Sequence, residues 1–316
     1  MKIISADEVH AALSYPGLVD ALQETFAKNF NQPPRQVFLL DDADNNDAFA
    51  LLPAWNDKII AVKAFTYFEG NPAPYERLYS KIMIFDRSYG EPLALVDGTT
   101  CTFWRTGGVS GLATRLLSRE DSSTMLLLGT GNLSTYMVHA NASVRPLEKI
   151  MIWGNPDGLP PMAEAQAVID EVSAELPEIK FSVVTDLENA CGEADIIVCA
   201  TASADILVKG AWIKEGTHLD FIGNHHADKR ECDTEVITNG KVYADSYVNA
   251  FKEAGEILVP INEGVFSKED VVAELAEMCS GKATLRINDK EITVFKAIGQ
   301  AVTDLVAASM AYSASE

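Results

Sequence analysis

The sequence predicts an α/β protein: a Rossmann-like, doubly wound parallel sheet joined to a discontinuous α+β domain made from both ends of the chain. Three observations carry this. A short apolar run, residues 125–128, stops at Gly129-Thr-Gly131, gives way to apolar residues at helical spacing, and is followed by a second apolar run at 150–153, the pattern of strand, glycine turn, helix and strand with both strands buried. Beyond residue 155, apolar runs keep alternating with helical stretches, as in a parallel sheet. Before residue 100, strand-like runs instead succeed one another across turn signals, as in an antiparallel sheet.

Taken in order, residues 5–30 read as a capped helical region, with Ser5 ahead of Asp7-Glu8 and apolar positions recurring through Leu22 and Phe26. Asn31-Gln-Pro-Pro-Arg35 breaks that pattern. Residues 37–40, 49–52, 59–65, 79–85 and 92–96 read as strands, and Asp86-Arg-Ser-Tyr-Gly90 as the clearest turn between them. Residues 105–117 read as a helix leading into the second half. There Gly129 permits a tight turn and Gly131 a close approach of phosphate to backbone, and the helix carrying Leu133, Tyr136, Met137 and Ala140 turns its N-terminus to the same place. Ser134 occupies the third position of G-x-G-x-x-G, so the fingerprint is incomplete and a purely structural turn is the alternative. Next come a helix at 161–175, a strand at 180–184, a short helix at 186–192, and strands at 194–200, 218–223 and 242–245. Residues 268–279 read as a helix with acidic outer positions, 292–295 as the start of the last segment, and 299–310 as an Ala/Val-rich helix. No strand follows that helix, so it is expected to return to the first domain. The expected division is 1–112 with 292–316 as the α+β domain and 113–291 as the Rossmann-like, dinucleotide-binding one.

A chain of 316 residues suffices for two domains and a large core. Its formal charge of −21 argues against nucleic acid or an anionic membrane as partner, and no apolar run approaches membrane-spanning length. Five cysteines, Cys101, Cys191, Cys199, Cys232 and Cys279, are widely spaced and form no C-x-x-C pair. Reduced thiols in a cytoplasmic protein, with no metal site, are expected, and the first residues lack the apolar core of a signal peptide.

An acidic protein that binds an anion must gather its few cations locally. Arg35, Lys63 and Arg105 each stand among apolar or small residues. Each alone serves equally well as a salt-bridge partner for one of the many carboxylates, because a buried cation must be paired. Together they suit a small carboxylate ligand: arginine offers bidentate geometry, lysine a point charge and a proton. The segment His218-Leu-Asp220-Phe-Ile-Gly223-Asn224-His225-His226 sits where the carboxyl end of a parallel sheet places ligands. Asp220, His225 or His226 could donate a proton there. Two adjacent histidines do not easily bind one metal ion, and no third ligand has suitable spacing.

Over nearly its whole length the chain resembles the ornithine cyclodeaminase/mu-crystallin family. The marks are Pro34-Arg35, Val62-Lys63 with Asn71, Val96-Asp-Gly98 through Trp104-Arg105-Thr106-Gly-Gly-Val-Ser110, Gly129-Thr-Gly131, Ile152-Trp-Gly154, Ala200-Thr201-Ala-Ser203, Gly216-Thr-His-Leu-Asp220, Arg230-Glu231, and Ile298-Gly299 to Asp304. The resemblance implies a homodimer whose first domain holds the substrate and whose Rossmann domain binds NADH or NADPH. It implies Arg35, Lys63 and Arg105 as holders of a substrate carboxylate, and Lys63, Asp220 or His225 as the proton donor. Thr106, Gly129, Gly131, Asn132, Leu133, Asn155, Thr201, Ser203 and Gly299 are implied as the cofactor's neighbours. Where the cyclodeaminases carry an acid that engages the substrate's distal amine, this chain has His225 after Gly223-Asn224. The Trp-Arg-Thr and His-Leu-Asp segments look more like the branch that reduces Δ1-pyrroline-2-carboxylate and related cyclic imino acids, such as Δ1-piperideine-2-carboxylate. That implies NAD(P)H-dependent imine reduction. Ornithine cyclodeamination, an open-chain amino-acid dehydrogenase and a cofactor-bound binding protein are the alternatives. Asn155-Pro156 replaces the arginine that NADP-using members carry after Trp-Gly, so weak discrimination between the two cofactors is expected.

Overall fold

The computed structural model describes residues 1–40, 47–201 and 203–316, in two compact units: Met1–Thr106 with Gln300–Glu316, and Gly107–Gly299. Unit 1 opens with β1 (Lys2–Ile4), α1 (Ala6–Ala12) and α2 (Tyr15–Phe26). Ser5 caps α1 in a reciprocal box with Glu8. The single helical region expected from the sequence is two helices, because Pro16 in the first turn of α2 suits a helix start and not an interior. Strands β2 (Gln36–Leu39), β3 (Ala48–Trp55), β4 (Ile59–Tyr67), β5 (Leu78–Asp86) and β6 (Pro92–Asp97) complete a six-stranded sheet in the order β1-β6-β5-β4-β3-β2. All neighbours are antiparallel except β1, which runs parallel to β6. The strict alternation of β3 buries Ala48, Ala50, Leu52 and Ala54 on one face.

Helix α3 (Gly98–Leu117) begins seven residues before the helix read from the sequence, since Asp97 accepts the Thr100 N–H at 2.9 Å and so caps it. It carries the chain into unit 2. There follow β7 (Thr124–Leu128), α4 (Ser134–Ala142), β8 (Lys149–Trp153), α5 (Met162–Val172), β9 (Lys180–Val184), α6 (Leu187–Glu193), β10 (Ile196–Cys199), β11 (His218–Phe221), α7 (Thr234–Asn239), β12 (Lys241–Ala244), α8 (Tyr247–Glu253), α9 (Gly255–Asn262), β13 (Val271–Glu274), α10 (Leu275–Cys279) and β14 (Thr293–Lys296). The eight strands are all parallel, in the order β13-β12-β14-β11-β10-β7-β8-β9. The chain leaves β7 outward through β8 and β9, then returns to its other side at β10. This reversal is where an open α/β sheet leaves a crevice at the strands' carboxyl ends.

The stretch read as a helix over 268–279 is instead a 3-10 turn (Lys268–Asp270), the edge strand β13 and the short α10. Val271 and Ala273 are buried while Val272 is exposed, a period of two that decides for strand; Glu274 and Glu277 form the capping box that starts α10.

The chain returns to unit 1 as α11 (Ala301–Ala314), packed against β3, β4, β5 and α2. Its small residues are buried almost all round, and Gln32 accepts the Val302 N–H at 3.1 Å. Among the described residues no helix is long and apolar enough to cross a membrane.

Candidate functional site

In unit 2, the turn after β7 contains two glycines with different reasons to be glycine. Gly129 has φ +122°, and a Cβ there would lie 2.6 Å from the Ala200 carbonyl oxygen, because β10 runs alongside. Gly131 has no such backbone constraint, and a Cβ there would meet no protein atom within 4 Å. Gly131 stands three residues before the start of α4, where a helix leaves N–H groups without helical partners. Leu133 is the N-cap and offers no side-chain bond, and Asn132 beside it is exposed. Ser134, in the fingerprint's third glycine position, is buried and donates to the Gly129 carbonyl at 3.0 Å. A dinucleotide pyrophosphate fits this cradle.

Beyond β8, Asn155 turns into its own loop: its Oδ1 accepts the Asp157 N–H at 3.1 Å, and its own N–H donates to the Pro160 carbonyl at 2.6 Å. After β10, Thr201 is held by Glu231, and the Ser203 N–H donates to Thr201 Oγ1 at 3.1 Å. Gly299, at φ +95°, donates its N–H to Asp245 Oδ2 at 2.6 Å.

Asp220 lies in β11, fully buried, and accepts the Ser110 hydroxyl at 2.5 Å. Ser110 accepts from the Asn141 amide at 3.0 Å, and Asn141 from Thr114 at 2.5 Å. Burial pushes the Asp220 carboxyl up to about 7, the Ser110 bond opposing it. His218 is also buried, facing Thr293 Oγ1 at 3.0 Å, and burial pushes its imidazole down to about 3. His225 and His226 are exposed.

In unit 1, Lys63 lies on the buried face of β4, in register with Leu52 and Ile82. Its Nζ donates to Thr102 Oγ1 at 2.5 Å and to Asp304 Oδ1 at 3.2 Å. Arg105 Nε lies 3.3 Å from the same Asp304 oxygen. Burial pulls the Lys63 ammonium below the usual lysine range; the Asp304 charge works against this and the Arg105 charge adds to it. Among the described residues two cationic side chains share one carboxylate, and Asp304 Oδ2 is buried without a hydrogen-bond partner. Thr106 closes the turn of α3 beyond Arg105, its hydroxyl on the Thr102 carbonyl at 2.6 Å. Arg35, half-buried, stands one residue before β2, whose pairing opposes Gln36 to Leu51. The structure thus brings Lys63 and Arg105 together and leaves Arg35 at the start of a strand two positions across the sheet from β4.

Asp304 is the residue that sequence reasoning missed. Its signal was the one that singled out Lys63: a lone charge in an apolar stretch, here an Ala/Val-rich helix. Glu231 was also missed as a site residue, because its surroundings in sequence are polar and give no sign of burial.

The model of the ornithine cyclodeaminase/mu-crystallin family matches residues 2–316. A Δ1-pyrroline-2-carboxylate reductase of Colwellia psychrerythraea is 44% identical over 312 residues, covering 98% of this chain and 97% of the relative. Among solved structures, the Δ1-pyrroline-2-carboxylate reductase of Thermococcus litoralis, in complex with NADH and L-proline, is similar with a TM-score of 0.91 and 30% identity over 100% of this chain and 97% of that one. An archaeal alanine dehydrogenase dimer with bound NAD gives 0.89 and 26% over 100% and 96%.

Proposed function

Because the chain belongs to the ornithine cyclodeaminase/mu-crystallin family, we propose that it reduces a cyclic 2-imino acid with NADH or NADPH, converting Δ1-pyrroline-2-carboxylate to L-proline. The observation that carries this is the buried Lys63–Asp304–Arg105 cluster in a chain similar from end to end to such a reductase.

The dinucleotide, when bound, supplies the hydride. Gly131 leaves room for its pyrophosphate, and the start of α4 offers that group N–H donors. On the substrate side, Lys63 and Arg105, with Arg35, hold the carboxylate. Thr102 and Asp304 engage two of the three Lys63 donors, and the third is left for the ligand. Asp304 favours the charged form of Lys63 against the pull of burial, and the arginine fork fixes orientation. The imine must be protonated to be electrophilic. Asp220, Lys63 and His225 are the three donors proposed, and a carboxyl at about 7, as at Asp220, holds a proton on roughly half the molecules near neutral pH. We also propose a homodimer, built on the exposed apolar residues of β2.

The test is loss of NADH or NADPH absorbance with Δ1-pyrroline-2-carboxylate, run beside Δ1-piperideine-2-carboxylate, pyruvate with ammonia, and ornithine with ammonia release as readout. Turnover of a cyclic imino acid above the others supports the reading. Release of ammonia from ornithine, preference for pyruvate, or tight cofactor binding with no turnover of any of them rejects it.

A further inference from the structure

We propose that Glu231 is the positioning residue that sets the two loops beside which the nicotinamide half of the dinucleotide rests, an inference that depends on the nucleotide site proposed above. Glu231 is fully buried. Its Oε1 accepts both the N–H and the hydroxyl of Thr201, at 2.9 and 2.6 Å. Its Oε2 accepts the Gly223 N–H at 3.2 Å. Thr201 follows β10 and Gly223 follows β11, and these strands are parallel neighbours. One carboxylate therefore clips together the loops at the carboxyl ends of adjacent strands, next to the reversal point of the sheet.

The clip is itself held. The Glu231 carbonyl accepts the N–H groups of Leu207 and Val208 at 2.9 and 3.0 Å, and the Glu231 N–H donates to Glu256 Oε1 at 3.2 Å. Lys296, fully buried, pairs with Glu256 Oε2 at 2.9 Å and donates to the Asn224 carbonyl at 2.8 Å. Asn224 closes the circuit by donating to the Ser203 carbonyl at 2.8 Å. Among the described residues the side-chain links between the two loops thus pass through buried charge or a buried amide, beside the backbone bonds of the Ile222 and Gly223 N–H groups to the Cys199 carbonyl at 2.8 and 3.2 Å.

Burying ionisable groups is costly unless each is paired. A fold that only needed to tie two loops could do so with neutral groups. The arrangement here holds the Thr201 and Gly223 N–H groups inward, so a ligand meets the other atoms of those loops. In a doubly wound sheet, β7, β8 and β9 belong to one mononucleotide half, and β10, β11 and β14 to the other. Loosening the clip should therefore harm the second half alone.

The experiment is titration of NADH and of ADP-ribose, which lacks the nicotinamide, into the wild type and into Glu231→Gln, with thermal unfolding to establish that the variant is folded. The expected result is an NADH dissociation constant raised roughly tenfold or more, the scale of losing charge-assisted bonds that hold a loop, with that for ADP-ribose within about twofold of wild type. If Glu231→Gln does not fold, Glu231→Asp keeps the charge on a shorter arm and should show the same selective loss at smaller size. Unchanged NADH affinity, or equal weakening of both ligands, overturns the proposal. A wild type that binds neither ligand overturns the nucleotide site itself, and the proposal with it.

Discussion

The carboxylate of Asp304 meets the ammonium of Lys63 at 3.2 Å across 241 residues of sequence, and both side chains are almost wholly buried. Arg105 leans on the same oxygen. The last helix of the chain therefore supplies the carboxylate of a cluster whose two cations come from β4 and α3. Removing one partner of a buried pair strands the other without compensation, at about 3–5 kcal/mol. Asp304→Ala should lose stability on that scale in urea unfolding. A loss below about 1 kcal/mol would mean that water solvates the cations or another group pairs with them.

Arg105→Lys keeps the charge and loses the planar fork. If Arg105 grips the substrate carboxylate, the cost should be roughly 2–4 kcal/mol, or about 30- to 1000-fold in kcat/KM. NADH affinity should change far less. The contact with Asp304 makes a competing forecast: lower thermal stability with normal kinetics of the folded enzyme. Melting temperature, NADH titration and steady-state kinetics on one preparation separate the two, and normal turnover in a destabilised variant would refute the clamp.

The parallel sheet was legible because β7, β8 and β10 are buried on both faces and so appear as largely apolar runs, whereas β11 is as fully buried but carries His218 and Asp220. The start of α3 was not, because Thr99 to Trp104 is rich in β-branched and aromatic residues that favour strands. Packing and the Asp97 cap override that preference. Strand β1 is three residues long and shows no period to read. At the candidate site, Lys63 and Arg105 stood out as cations in apolar stretches, yet nothing local in the sequence tells which carboxylate meets them. That pairing depends on α11 returning to the β3–β4–β5 face. The burial of Glu231 is likewise a tertiary fact, made by the convergence of β10, β11 and α9.

Gly129 and Gly131 should respond in opposite ways to substitution. Gly129→Ala puts a Cβ 2.6 Å from the Ala200 oxygen in a positive-φ conformation, so it should lower the melting temperature, at a cost of about 1–3 kcal/mol or more. Gly131→Asp meets no protein atom at its Cβ and should melt close to wild type, while its charge enters the space of the pyrophosphate and abolishes NADH binding. A Gly131→Asp protein that binds NADH normally would displace the cofactor from this turn.

The sheet edge formed by β2 exposes Val37, Phe38 and Leu39 at 53%, 47% and 69%. An apolar edge strand left open invites pairing with another chain. Sedimentation at micromolar concentration should show a homodimer, and Leu39→Lys should shift it toward monomer without changing the fold. A wild-type monomer under those conditions would be the contrary result.

Asp220 gives the pH dependence of stability a sign that can be worked out. Its carboxyl titrates at about 7 when folded, against about 3.9 in an unfolded chain. Between those values the folded protein keeps a proton that the unfolded chain has lost. The contribution is therefore fully present below about pH 4 and disappears as the pH rises to about 7. Asp220→Asn removes this titration and leaves the rest in place. Glu231, raised in the same direction, and His218, lowered to about 3 by burial, affect both proteins alike to first order. The stability of the wild type relative to Asp220→Asn should therefore fall by a few kcal/mol, roughly 4 at most, from pH 4 to pH 7. Urea midpoints of both proteins across that range measure it. A difference that does not vary with pH would mean that the Asp220 carboxyl does not change its charge there, and Asp220 would drop out as the proton donor at neutral pH.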